Sequence, residues 1–281
     1  NLLQARDPLG LWPDTNFLSP PAPGEILGDS TAHREAISQV VQVYAASQPS
    51  GRSNALSQLV SIYRTFGRED AAAVTRGIDR ATRTEGHASV GNFGGFISDS
   101  GSEGYRPELR DPDSTNSQTG HFFSFARYAF SGAPFHQRAA LGHELVSDGF
   151  LSELGPVGGP PRFARQVTEP GMRTMHRFER VLDELTNHGE FGSATGTLDY
   201  SYIDRRLREE LGRVYTSLPT TVDSSRAGNS RQDLINTVVG IHFGRMLRNG
   251  VFQNSEEAAS WLERNVADQG STSSTEARSD E

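Results

Sequence analysis

Asp111-Pro-Asp-Ser-Thr-Asn-Ser-Gln-Thr-Gly-His121-Phe-Phe-Ser-Phe-Ala-Arg-Tyr-Ala-Phe130 joins two unlike compositions. Residues 111–120 are Asp, Pro, Ser, Thr, Asn, Gln and Gly, the chemistry of turns. From His121 onward, Phe122, Phe125, Ala126 and Ala129 fall on one helical stripe. Ser131-Gly-Ala-Pro134 stops that helix, and a second is expected from Phe135 to about Ser152, with Ala140, Leu141, Leu145 and Leu151 as its apolar part. So short a connection predicts two antiparallel neighbouring helices. This reading decides the fold class: mainly α, in a single multi-helix globular domain.

The same pair of helices carries the candidate chemistry. His143 and Glu144 are adjacent on the second helix, and Glu144 and Asp148, four apart, share a face. His143 and Ser147 fall on the adjoining face, and His136 lies two turns before His143. His121 sits in the first helical turn, where unpaired N–H groups and the positive dipole end disfavour an imidazolium. A His kept neutral suits a general base or a metal ligand. The antiparallel arrangement puts His121 nearer Ser147 and Asp148 than His136. Gly120 and Gly142 leave room for close approach of a backbone or ligand. The candidate catalytic set is His121, His143, Glu144 and Asp148, and the candidate ligands of a divalent metal ion are His143, Glu144 and Asp148. The competing reading is a buried network in which these groups satisfy one another. Four ionisable groups on helices otherwise built of Phe, Leu and Ala are costly to bury without a purpose.

Two strings carry a resemblance. Asn116-Ser-Gln-Thr-Gly-His-Phe122 followed by Gly142-His-Glu-x-x-x-Asp148 looks like a poorly characterised set of bacterial domains. These have a polar turn, an (Arg or Gly)-His pair opening a helix and a His-Glu pair on the next, and several lie at the C-termini of Rhs-repeat and other polymorphic toxin proteins. Here Gly120 stands where Arg is common. Asp7-Pro-Leu-Gly-Leu-Trp12 resembles the Asp-Pro-x-Gly-Leu motif that closes the Rhs core, although Asp-Pro-x-Gly is also a common turn in an ordinary irregular arm. The resemblance implies a toxin or effector of bacterial origin, exported or delivered by a secretion apparatus, with a delivery shell or an immunity protein as partner.

Composition narrows the classes. The 281 residues contain no cysteine, which excludes disulfides and Cys-ligated zinc. All 27 basic residues are Arg, so no Walker lysine or Schiff-base lysine exists. A net charge of −8 argues against nucleic acid as the main partner. No apolar run reaches membrane-spanning length, and the first residues show no basic-then-apolar signal. His143-Glu144 lacks the second His, four residues after His143, of zinc proteases, because Ser147 stands there, and no Gly-x-Ser-x-Gly occurs.

Elsewhere the chain reads as scaffold. Residues 1–28 form an irregular arm, 29–268 the helical domain with a sub-boundary near the Gly-Pro-rich 155–161, and 269–281 an acidic, Ser-rich disordered tail. Helices are expected over 30–46, from Ser53 (Leu56, Leu59, Ile62 and Tyr63 inward), over 69–83, 171–187 and 202–217, from Ser230 to Arg248, and from Ser255 to about Asp268. Ser230-x-x-Asp233 resembles a capping box. The Ser230–Arg248 helix is a candidate central helix, with His242 a satisfied core histidine. Glu85 before the Gly-rich 86–101 resembles the setting of the acid in lysozyme-like folds; a Gly-rich loop or short β-ribbon explains it equally. Hydrolytic enzyme and non-catalytic helical binding or structural module both stand at this point; a pore-forming toxin lacks the long apolar hairpin it needs.

Overall fold

A computed structural model describes residues 55–84, 104–110, 118–132, 169–218 and 230–268. Among them lie eight α-helices: α1 (Ala55–Thr65), α2 (Ala71–Thr84), α3 (Gln118–Phe130), α4 (Glu169–Asn187), α5 (Tyr200–Leu211), α6 (Arg213–Thr216), α7 (Arg231–Arg248) and α8 (Ser255–Asn265). A 3-10 turn spans Pro107–Leu109, and the β-structure of the described residues is one isolated bridge, Tyr105 to Ala267. The mainly α class is what the periodicity predicts. No described helix is long and apolar enough to cross a membrane.

α7 is the central element. Ser230 opens it with a complete capping box: its hydroxyl accepts from the Asp233 N–H, and the Asp233 carboxylate accepts from the Ser230 N–H. Every residue from Asp233 to Gly244 is buried, so this helix is wrapped on all sides. α3 is its most extensive neighbour and is itself buried without interruption from Phe122 to Ala129. α4 lies against α7 and α5, while α8 packs on α1 and α2.

The α3–α7 contact is unusually close because α7 presents glycine. A Cβ on Gly240 would stand 2.5 Å from the Phe122 carbonyl oxygen, and one on Gly244 2.0 Å from that of Ala126. Backbone therefore packs on backbone. Gln118 meets Asp233 and Asn236, His121 meets Thr237, Phe122 meets Gly240 and Ala126 meets Gly244, so the contacts advance together along both helices. α3 and α7 run parallel, with their N-termini side by side.

Three expectations need correction or placing. Gln118–Gly120, read as turn, form the first turn of α3. The single helix expected over 202–217 is two, because Gly212 takes φ +56° and ends α5 before α6 begins. The arm, the helix over 30–46, Glu85 with its Gly-rich stretch, the helix from Phe135, the 155–161 boundary and the tail all lie outside the described residues.

Candidate functional site

Of the four candidate catalytic residues, His121 is described; His143, Glu144 and Asp148, the candidate metal ligands, lie outside the described residues, as do His136 and Ser147. His121 occupies the first turn of α3 and is half-buried. Its Nε2 is 2.7 Å from Thr237 Oγ1, and its ring meets the edge of Phe125 at 5.1 Å. The first contact fixes the imidazole plane against α7, and the second supports it from its own helix.

A polar seam surrounds this pair. The Gln118 amide donates to Asp233 Oδ1 at 3.3 Å. Asn236 Nδ2 donates to Gln118 Oε1 at 2.7 Å and to the Gln118 carbonyl at 3.3 Å. Tyr105 donates to Thr119 Oγ1 at 3.1 Å. Gln118, Thr119, Asp233, Asn236 and Thr237 are all essentially inaccessible to solvent. Asp233 thus has two tasks: it caps α7 and anchors the start of α3. Its negative charge sits where two helix N-termini lie together, the polarity that favours a carboxylate. Asn236 Oδ1 is buried with no hydrogen-bond partner.

Sequence reasoning finds His121 and the capping role of Asp233 but misses Gln118, Asn236 and Thr237. A signal existed. Asp233, Asn236, Thr237, Gly240 and Gly244 fall on one helical stripe of a segment whose other residues include Leu234, Ile235, Val238, Val239 and Ile241. That stripe is polar and then side-chain-free, which is the face α3 covers.

Two further ionisable groups are buried nearby in the fold. Arg127 of α3, 7 % exposed, is ion-paired with Asp79 of α2. His242 of α7 is buried, and its Nε2 donates to the Phe191 carbonyl at 3.0 Å. Burial pushes the His242 imidazole down to about 4, against the partial support of that hydrogen bond and with the help of the Arg245 charge. It is the core histidine the sequence predicts, satisfied at one nitrogen; Nδ1 has no hydrogen-bond partner. Among the described residues no three His or carboxylate side chains come together in a way that would hold a metal ion.

The described part of the site can therefore orient one imidazole from a rigid, water-excluding base. Comparison of the chain with family models, with curated proteins and with solved structures gives no match.

Proposed function

We propose that the chain is a hydrolase domain of the toxin or effector type, with His121 as its general base or as a ligand of a divalent ion. The observation that supports this reading is the contrast within the seam. Gln118, Thr119, Asp233, Asn236 and Thr237 are buried, while His121 keeps partial access to solvent and is steadied at Nε2 by the buried Thr237 hydroxyl. An imidazole oriented at one nitrogen by a fixed group is the arrangement a base needs. His143, Glu144 and Asp148 complete the proposed site on sequence grounds, as acid–base partners or as ligands of the ion. The Rhs-type resemblance supports bacterial origin, delivery by a secretion apparatus, and a shell or immunity protein as partner.

A second reading rests on the same seam. The Asn236–Gln118–Asp233 chain is a buried network joining two helix starts, as a non-catalytic binding or structural module requires. One experiment separates the two. Wild type, His121→Asn and the double variant His143→Ala/Glu144→Ala are expressed in bacteria and purified for elemental analysis and urea unfolding. Growth inhibition or stoichiometric metal that is lost in variants of near wild-type stability supports the hydrolase. Variants that lose several kcal/mol of stability, from a wild type that neither inhibits growth nor carries metal, support the module.

A further inference from the structure

Residues 188–198 connect α4 to α5 without regular secondary structure, yet they are tied down at two places. The second half is held by α8: Asn265 accepts from the Leu198 N–H at 2.7 Å and donates to the Gly196 carbonyl at 3.0 Å, and Arg264 donates to the Ala194 and Gly196 carbonyls at 3.3 Å. The first half is held by α7 through the His242 Nε2–H bond to the Phe191 carbonyl. Phe191 is itself nearly buried, with His188 stacked on it at 4.1 Å and Tyr202 at 5.4 Å.

The hydrogen bond from Nε2 fixes the tautomer, so Nδ1 carries a bare lone pair. That lone pair is sealed from solvent and has no partner. The Trp261 ring centroid lies 5.9 Å from that of the His242 imidazole, and its indole N–H is also buried and unpartnered. A proton on Nδ1 would create a buried cation with a donor that has nothing to donate to. The neighbouring charges offer no relief. Arg245, on the same helix, is cationic and already committed to Glu179 at 2.6 Å and Asp183 at 2.8 Å of α4. Arg264 of α8 is cationic too. From the connecting segment, His188 stacks on Phe191 and Glu190 is exposed; of the other helices packed on α7, α3 and α2 pair Arg127 with Asp79, and on α4 Glu184 is taken up by Arg206.

We propose that His242 and residues 188–198 form an acid-sensitive latch: protonation at Nδ1 releases the first half of this segment from α7 while the helices stay folded. Solvating the new N–H requires something to move. The segment is the element that can, because its own backbone bonds are few (Gly192 N–H to His188 O, 2.8 Å; Gly196 N–H to Ser193 O, 3.0 Å). α7, which carries His242, is buried without a break from Asp233 to Gly244, and α8, which carries Trp261, is a continuous helix. The closed form binds its proton near pH 4 and the open form near the ordinary 6.5, so acidification between those values favours opening by up to about 300-fold. This inference stands apart from the hydrolase proposal.

The test uses the full chain with Trp12→Phe, which leaves Trp261 as the sole tryptophan. His242 is titrated by NMR, Trp261 emission is followed from pH 7 to 3.5, and amide protection is measured at Gly192, Gly196 and along α7. The latch predicts that Gly192 protection falls with the protonation of His242, that Trp261 is quenched and red-shifted over the same pH range, and that α7 amides remain protected. In His242→Gln, which keeps a donor for the Phe191 carbonyl but does not titrate, Gly192 stays protected to pH 4. Loss of Gly192 and α7 protection together overturns the latch in favour of global acid unfolding. Retained Gly192 protection while His242 titrates overturns it as well, as does a Gln variant that opens like wild type. If the Gln variant fails to fold, the wild-type titration alone decides.

Discussion

Gly244→Ala tests the parallel α3–α7 contact directly. In an ordinary helix interior this substitution stabilises by about 1 kcal/mol, because alanine restricts the unfolded chain and favours helix. Here the added carbon would stand 2.0 Å from the Ala126 carbonyl oxygen, a backbone atom that no rotamer change can move. α3 must withdraw by about 1.4 Å or more to restore ordinary contact, at the roughly 1–3 kcal/mol typical of overpacking. The same withdrawal stretches the 2.7 Å bonds from Asn236 to Gln118 and between His121 and Thr237, each worth about 1 kcal/mol. The net expectation is a loss of about 2–4 kcal/mol, opposite in sign to helix propensity. Urea unfolding followed by circular dichroism measures it, with Gly189→Ala as control. A Cβ on Gly189 meets nothing within 4 Å, so that variant should lie within about 0.5 kcal/mol of wild type. A Gly244→Ala protein as stable as wild type, or more so, would refute the close crossing and the register derived from it.

Asp79→Ala leaves Arg127 charged and buried without its carboxylate, and should cost about 3 kcal/mol in chemical denaturation; Arg127→Met, which removes the charge and keeps the bulk, should cost less. Ser230→Ala removes the α7 cap and should cost about 1 kcal/mol, whereas Asp233→Ala also strips the Gln118 contact and should cost measurably more in the same assay. Gly212→Ala clashes with nothing, yet its φ of +56° should make it about 1–2 kcal/mol less stable by thermal unfolding. His121→Asn should shift stability by about 1 kcal/mol while abolishing whatever growth inhibition the wild type causes, scored by colony counts after induction.

The helical stripes were legible because burial follows period. Leu56, Leu59, Ile62 and Tyr63 are spaced for one face and all are buried, and Phe178, Val181, Leu182 and Leu185 behave in the same way. The capping box at Ser230 was legible because both partners lie within three residues. Local chemistry misled where tertiary structure overrode it. Gln118, Thr119 and Gly120 are turn formers in isolation, and they are helical here because α7 supplies the Gln118 side chain and carbonyl with partners. Gly212 misled in the other direction. The apolar spacing of Ile203, Leu207, Leu211 and Val214 continues across it, and an isolated glycine inside a helical pattern does not by itself announce a break.

The seam was the hardest part to see, for a reason of distance along the chain. Thr237 lies 116 residues beyond His121, so no spacing rule links them. Each helix nevertheless carries half of the information. On α3, Gln118 and His121 precede Phe122 and Ala126; on α7, Asp233, Asn236 and Thr237 precede Gly240 and Gly244. A polar start followed by a face that tolerates backbone contact, written on both partners in the same order, fits a parallel pairing: reversing one helix would place Gln118 and His121 against Gly240 and Gly244 and leave Asp233 and Asn236 facing the apolar end of α3. Buried amides and carboxylates without partners cost far more than any propensity term, so the polar ends have to find each other, and that requirement sets the direction of the central pair.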